Sequence, residues 1–193
     1  MILGRRNVLP ERVGAARSPL SVALPRLALV LGGARSGKSR YAETLVEAAG
    51  GGVYLATAAA LDAEMAERIR RHRERRGKGW TTLEEPLDIA HALTAAAGRP
   101  VLVDCLTLWL SNLIAAGRDV ERETDALIDV LAHRDAPVIV VANEVGLGIV
   151  PENALARLFR DHAGRLNQRV AARADRVVFM AAGLPLTLKD VSS

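Results

Sequence analysis

Aromatic side chains make up only 3% of the 193 residues. That is too few for the stacked ring platforms that hold single-stranded nucleic acid. There is one cysteine, Cys105, so no intrachain disulfide can form. With no export segment legible, the compartment reads as cytoplasmic. No stretch approaches the ~18 apolar residues of a membrane-crossing helix. Net charge is also missing from most of the chain. Residues 1–26 carry five arginines against the single acid Glu11, and the remainder balances to zero. The formal charge of +4 therefore belongs to an N-terminal arm. A nucleic-acid-binding body is not expected.

What is present is a globular composition. Half the residues are hydrophobic and a quarter charged, which suits one domain of ~100–200 residues. Residues 1–26 contain Pro10, Pro19 and Pro25 and show no helical or strand period. They read as a disordered or loosely docked basic extension ahead of a single domain, 27–193. From Leu27 onward, short apolar runs alternate with helical periods. Leu27–Leu31, Val53–Ala56, Val101–Val103, Val138–Val141 and Val177–Met180 read as buried strands. Helices are expected near 37–49, 62–76, 86–97, 107–116, 120–133 and 153–173, with an edge strand at Leu184–Lys189 after Gly183. Apolar strands separated by helices predict an α/β fold, a mostly parallel sheet with helices on both faces.

The run Gly32-Gly33-Ala34-Arg35-Ser36-Gly37-Lys38-Ser39 matches G-x-x-x-x-G-K-[ST]. It follows an apolar strand and opens a helix, the context that gives the pattern its meaning. Its glycines let backbone N–H groups turn toward phosphate oxygens, and the helix N-terminus adds partial positive charge. Lys38 would reach the β- and γ-phosphates, and the Ser39 hydroxyl would ligate Mg²⁺. Asp104 closes the strand Val101–Val103 and is the second Mg²⁺ candidate, or else a cap for the following helix. Thr57 and Asn143-Glu144 also follow strands, so all should gather at the carboxyl edge of the sheet.

Leu61, Met65, Ile69 and His72 fall on one helical stripe, flanked by Arg68, Arg70, Arg71, Arg73, Arg75 and Arg76. One reading is a solvated arginine face with a core histidine. The other uses the charge: neighbouring guanidinium groups disfavour an imidazolium, leaving a neutral nucleophile beside phosphate-binding arginines. His91, His133 and His162 lack that setting and read as structural.

These residues carry a family resemblance. Five blocks are Gly32–Ser39, Tyr54–Thr57, Glu67-Arg68-Ile69 with His72, Trp80–Glu84, and Asn143–Asn153 continuing to Arg157, Phe159-Arg160-Asp161, Gly164-Arg165 and Asn167-Gln168-Arg169. Over about residues 27–189 the chain resembles the bifunctional adenosylcobinamide kinase/adenosylcobinamide-phosphate guanylyltransferases of cobalamin synthesis. The resemblance implies a RecA-like P-loop fold, a homotrimer, and two reactions at one nucleotide site. The first phosphorylates adenosylcobinamide, with GTP or alternatively ATP as donor. The second transfers GMP from GTP to adenosylcobinamide phosphate through a covalent histidine, which maps onto His72. Nucleotide contacts map onto Gly32–Ser39 (Gly32, Gly33, Ala34, Arg35, Ser36, Gly37, Lys38 and Ser39), Thr57, Ala58, Ala59, Arg73, Glu74, Arg75, Arg76, Glu84 and Asp104. Glu84 is also a candidate for accepting the guanine N1–H and N2–H₂, or is a surface acid beside Glu85. The rival readings are a P-loop small-molecule kinase, which has no use for His72, and a nucleotide-gated binding module without catalysis.

Overall fold

The apolar run predicted at Leu27–Leu31 forms β1 (Leu27–Gly32), six consecutive buried residues. The computed structural model describes residues 24–58, 77 and 79–191. The helix expected at 62–76, with His72, Arg73, Glu74, Arg75 and Arg76, lies outside the described residues. So do Ala59 and most of the N-terminal arm.

The other strands are β2 (Gly52–Ala56), β3 (Trp80–Glu84), β4 (Val101–Asp104), β5 (Val138–Asn143), β6 (Arg176–Ala181) and β7 (Leu184–Asp190). The described helices are α1 (Lys38–Ala48), α2 (Ile89–Ala95), α3 (Leu106–Ala115), α4 (Val120–His133) and α5 (Ala154–Arg173). The strands make one sheet in the order β3-β2-β4-β5-β1-β6-β7. All pairings are parallel except β6 with β7, which pair antiparallel through the tight turn at Ala182-Gly183.

The two-residue period of a strand divides the core into two layers. Leu27, Leu29 and Leu31 pack with α2 to α5 through side chains such as Leu93, Trp109, Leu131 and Leu166. Ala28 and Val30 point the other way, to Ala42 and Val46 of α1. Both faces of β1 are therefore buried, which is why its sequence is unbroken apolar rather than alternating. Asp119 caps α4 by accepting from the N–H groups of Glu121 and Arg122, and Asn153 caps α5 by accepting from Leu155 and Ala156. Each such cap contributes about 1 kcal/mol.

β3 was not expected as a strand. It is an edge strand with Thr81, Leu83 and Glu84 exposed, so its sequence lacks the apolar run that marked the others. The folded unit also begins earlier than Leu27. Leu24 packs on the α1-side core. The Val138 N–H donates to the Arg26 carbonyl at 2.8 Å. The Arg26 guanidinium donates to the Leu131 carbonyl at 2.8 Å and lies 3.9 Å from Asp175. Residues 1–23 show no helical or strand period, so removing them should leave the melting temperature within about 2 °C of the full chain. The change Arg26→Ala in that shortened chain should lower it by about 2–4 °C, the effect of ~1 kcal/mol in a domain of this size. Calorimetry on the three proteins checks both, and an unchanged Arg26→Ala midpoint would show that these bonds contribute nothing.

Candidate nucleotide site

Gly32 ends β1, and the chain then turns sharply before Lys38 starts α1. Gly32 has φ 151° and Gly37 φ 98°, conformations that L side chains rarely adopt. At Gly32 space is decisive as well: a Cβ there would lie 2.4 Å from the Met180 carbonyl oxygen and 2.7 Å from Ser36 Oγ. The loop is held by the Ser36 N–H donating to Gly33 at 3.3 Å and the Gly183 N–H donating to Ser36 at 3.0 Å. The turn joining β6 and β7 thus buttresses it from below.

Lys38 is the first residue of α1 and only 7% exposed. Its ammonium folds back over the loop and donates to the Gly33 carbonyl at 2.6 Å. A buried ammonium at a helix N-terminus beside a glycine turn favours an anion there by charge. Ser36 Oγ is buried and has no hydrogen-bond partner among the described residues. An incoming phosphate oxygen would satisfy it, which fits a nucleotide in this cradle.

Ser39 follows on α1, and its hydroxyl donates to Asp104 Oδ1 at 3.3 Å. The sequence separates this pair by 65 residues; the fold joins them. The second carboxylate oxygen, Oδ2, accepts from the Tyr54 hydroxyl at 2.5 Å. The sequence put Tyr54 in a family block but assigned its hydroxyl no role. A hydroxyl and a carboxylate are the oxygen donors a hard divalent cation takes. No cluster of three or more His, Cys, Asp and Glu side chains that could hold a metal occurs among the described residues. A cation at Ser39 and Asp104 would accordingly share its coordination with phosphate oxygens and water, as Mg²⁺ usually does in such sites.

Parallel register brings the remaining strand ends to the same edge. Gly32 lies opposite Asn143, Ala56 opposite Asp104, and Ala56 also opposite Glu84. Glu84 is exposed and two strands from Asp104, about 10 Å across the sheet at ~4.8 Å per strand. Thr57 is placed differently from its neighbours. It is fully buried, its hydroxyl donates to the Cys105 carbonyl and accepts from the Cys105 N–H, both at 2.8 Å. Its own carbonyl accepts from Asn112 at 2.8 Å. Its side chain therefore ties β2 to the start of α3 rather than facing the loop, and half-buried Ala58 follows it at the rim.

The segment after β5 is anchored on the same edge. The Glu144 N–H donates to the Gly32 carbonyl at 3.1 Å, and the Asn143 N–H donates to Thr107 Oγ1 at 2.7 Å. Beyond that anchor the loop exposes Leu147 and Ile149, the latter 96% accessible. Cys105 beside Asp104 is buried, and burial together with the Asp104 charge pushes its thiol pKa up, so it stays a protonated packing group. His133 and His162 are engaged with Asp129 and Glu121, on α4 and between α4 and α5.

Residues 28–188 match the family described as cobinamide kinase / cobinamide phosphate guanyltransferase. The chain is 51% identical over 166 residues to the bifunctional adenosylcobalamin biosynthesis protein CobP of Pseudomonas aeruginosa, covering 83% of this chain and 96% of that one. It is 42% identical over 178 residues to the bifunctional adenosylcobalamin biosynthesis protein CobU of Salmonella typhimurium, covering 83% and 98%. Among solved structures, the flagellar accessory protein FlaH from Methanocaldococcus jannaschii has a TM-score of 0.51 at 12% identity, covering 86% of this chain and 80% of that one. That last likeness concerns the fold alone, a single-domain RecA-like α/β sheet. The family match runs from Ala28 in β1 to Leu188 in β7, through every strand of the sheet and the whole glycine loop, and the chain therefore belongs to the cobinamide kinase / cobinamide phosphate guanyltransferase family.

Proposed function

We propose that this protein phosphorylates adenosylcobinamide and then transfers GMP from GTP onto the product, with His72 as the covalent carrier. The observation that carries the nucleotide half is the convergence of Lys38, the orphaned Ser36 hydroxyl, and the Ser39–Asp104 pair at one sheet edge. Family membership carries the choice of acceptor.

In the kinase step the aminopropanol hydroxyl attacks the γ-phosphorus, and the bond to the β-bridging oxygen breaks. Phosphoryl transfer needs in-line positioning and charge neutralisation more than covalent help. Gly32–Ser39 would hold the triphosphate through backbone N–H groups, with Lys38 against the β- and γ-oxygens. Ser39 and Asp104 would hold Mg²⁺, which when bound neutralises charge on the phosphate oxygens. GTP is the donor for guanylylation; ATP is an alternative for phosphorylation only.

In the second step a neutral His72 nitrogen attacks the α-phosphorus, a P–N bond forms and pyrophosphate leaves. A phosphate oxygen of adenosylcobinamide phosphate then displaces the histidine, giving adenosyl-GDP-cobinamide. Splitting the displacement in two avoids bringing two polyanions together at once. Arg73, Arg75 and Arg76 would bind phosphate oxygens beside His72, with Ala59 and Glu74 as further nucleotide contacts. Exposed Glu84, at the same sheet edge, would accept from guanine N1–H and N2–H₂ in this reading. A homotrimer is part of this reading, supported by the exposed apolar row Leu184, Leu186 and Leu188 along the edge strand β7. The single free cysteine suits a reducing cytoplasm, and no described helix is long and apolar enough to cross a membrane.

Lys38→Ala should weaken GTP binding by about ten- to a hundredfold, the loss of a charge-assisted bond of ~1.5–3 kcal/mol. Both reactions should fall further than binding does, because charge develops at the same oxygens during transfer. Turnover assays with cobinamide and cobinamide phosphate check this, and full kinase activity in folded Lys38→Ala would remove the glycine loop from the mechanism.

His72→Ala should separate the two reactions. Phosphorylation from γ-labelled GTP should survive largely intact, while transfer of α-label to the corrinoid falls to background. Acid-labile, base-stable α-label on the wild-type protein should also disappear, as a phosphoramidate requires. Retained protein labelling in His72→Ala would move the nucleophile elsewhere, and parallel decline of both activities with stability would make His72 a packing residue.

A further inference from the structure

The Asp104 carboxylate is gripped from both sides, by Ser39 on Oδ1 and by Tyr54 on Oδ2. The Ser39 contact belongs to the nucleotide-site reading. The Tyr54 contact does not, and its geometry follows from sheet register. Ala56 lies opposite Asp104 and Tyr54 opposite Leu102. Tyr54 therefore shares a face with Asp104, two residues back along the neighbouring strand. Two rises of ~3.3 Å and one strand spacing of ~4.8 Å put their Cα atoms about 8 Å apart, a diagonal that a tyrosine hydroxyl spans. That face is the α1 side, where Ser39 also emerges, and Tyr54 packs there with Val46 and Leu102.

The ring itself has little freedom. Tyr54 is 5% exposed. Trp80 of β3 meets it edge-on, with ring centroids 6.2 Å apart and planes at 74°, the T-shaped arrangement that aromatic quadrupoles favour. An aspartate at the end of a strand can otherwise rotate about χ1 and χ2 and present either oxygen. A hydroxyl fixed by a buried ring removes that choice.

We propose that Tyr54 is a positioning residue for the divalent cation. By holding Oδ2, it leaves Oδ1 turned toward Ser39 and the phosphate cradle, so that the metal meets a preset carboxylate. This inference rests on the nucleotide-site reading above, in which Ser39 and Asp104 hold Mg²⁺. Preorganised ligands bind more tightly because orientation is not lost on binding.

The test uses the full chain, Mn²⁺ as spectroscopic probe, and α,β-methylene GTP, in which the bond cleaved by guanylyl transfer is blocked. Tyr54→Phe keeps the ring, its burial and the Trp80 contact while deleting only the hydroxyl. Mn²⁺ affinity in the nucleotide complex, read by electron paramagnetic resonance, should fall about tenfold (about 1.4 kcal/mol). Binding of the same nucleotide in excess chelator should stay within about twofold, and the melting temperature should change little. In an Asp104→Asn background, Tyr54→Phe should bring no further loss of Mn²⁺ affinity.

Unchanged Mn²⁺ affinity in Tyr54→Phe overturns the proposal. So does a fall matched by equal loss of metal-free nucleotide binding, because that is the signature of general sheet damage. Should Tyr54→Phe melt early, Trp80→Leu keeps the hydroxyl and removes its support. It should weaken Mn²⁺ severalfold with metal-free binding kept, and no weakening there counts against the proposal equally. A wild-type protein that binds no nucleotide with or without metal fails differently: it overturns the nucleotide site itself, and this inference with it.

Discussion

The 2.4 Å that would separate a Cβ on residue 32 from the Met180 carbonyl oxygen is the constraint from which the rest of the site follows. Only glycine lets β1 end flush against β6 and still turn upward in a left-handed conformation. Because the turn is that tight, α1 begins six residues later with Lys38 already over the loop. Ser39, one residue on, then falls beside Asp104. A side chain at position 32 would lift the loop off β6, and the ammonium, the hydroxyl and the helix terminus would all lose their common focus. The nearby Gly183 N–H, bonded to the Ser36 carbonyl, shows that the β6–β7 turn is fitted to the same geometry.

Parallel register does the remaining gathering. Strands that run the same way end at the same edge, so loop residues far apart in sequence become neighbours without any direct sequence signal. The two-residue period then sorts them by face. Tyr54 and Asp104 lie with Ser39 on the α1 side, where a phosphate would sit. Thr57 comes just after β2, and its hydroxyl turns inward to the Cys105 backbone. One strand thus serves both purposes: Tyr54 reaches the carboxylate, and Thr57 fixes the backbone that carries it. The Asp104–Cys105 peptide, which is cis, sits between them.

This division explains how much could be read from sequence. The central strands were legible because burial on both faces leaves unbroken runs such as Leu27–Leu31 and Val138–Val141. α4 was legible to the residue, since Asp119 and Gly117 punctuate it. β3 was not, because the edge strand Trp80-Thr81-Thr82-Leu83-Glu84 has no fully buried residue and so lacks the apolar run that marks the central strands. The glycine loop and Asp104 carried their own signals. Tyr54 opened one of the family blocks, but nothing there marked its hydroxyl: one aromatic in a buried strand looks like core, and only register against β4 shows that hydroxyl meeting a carboxylate. The part that Leu24 and Arg26 play in the folded unit was similarly hidden, since Arg26 acts through backbone and long-range bonds rather than through an apolar period.

The same geometry bears on where covalent chemistry can occur. Besides the Ser36 hydroxyl within the loop, four described side chains near this edge carry a nucleophilic atom, and each of the four is engaged elsewhere. Ser39 is engaged with Asp104, and as the proposed metal ligand its hydroxyl would be a poor carrier for a transferred nucleotide. Thr57 is fully buried and bonded twice to Cys105. The Tyr54 hydroxyl is held by Asp104. The Cys105 thiol, pushed toward its protonated form by burial, lacks the thiolate that would attack. In the proposed reaction this frame would hold the triphosphate and orient its charge, and none of these four groups would compete with the His72 imidazole for the α-phosphorus. Two reactions at opposite ends of one triphosphate can share such a frame, because holding is common to both and the attacking groups are not.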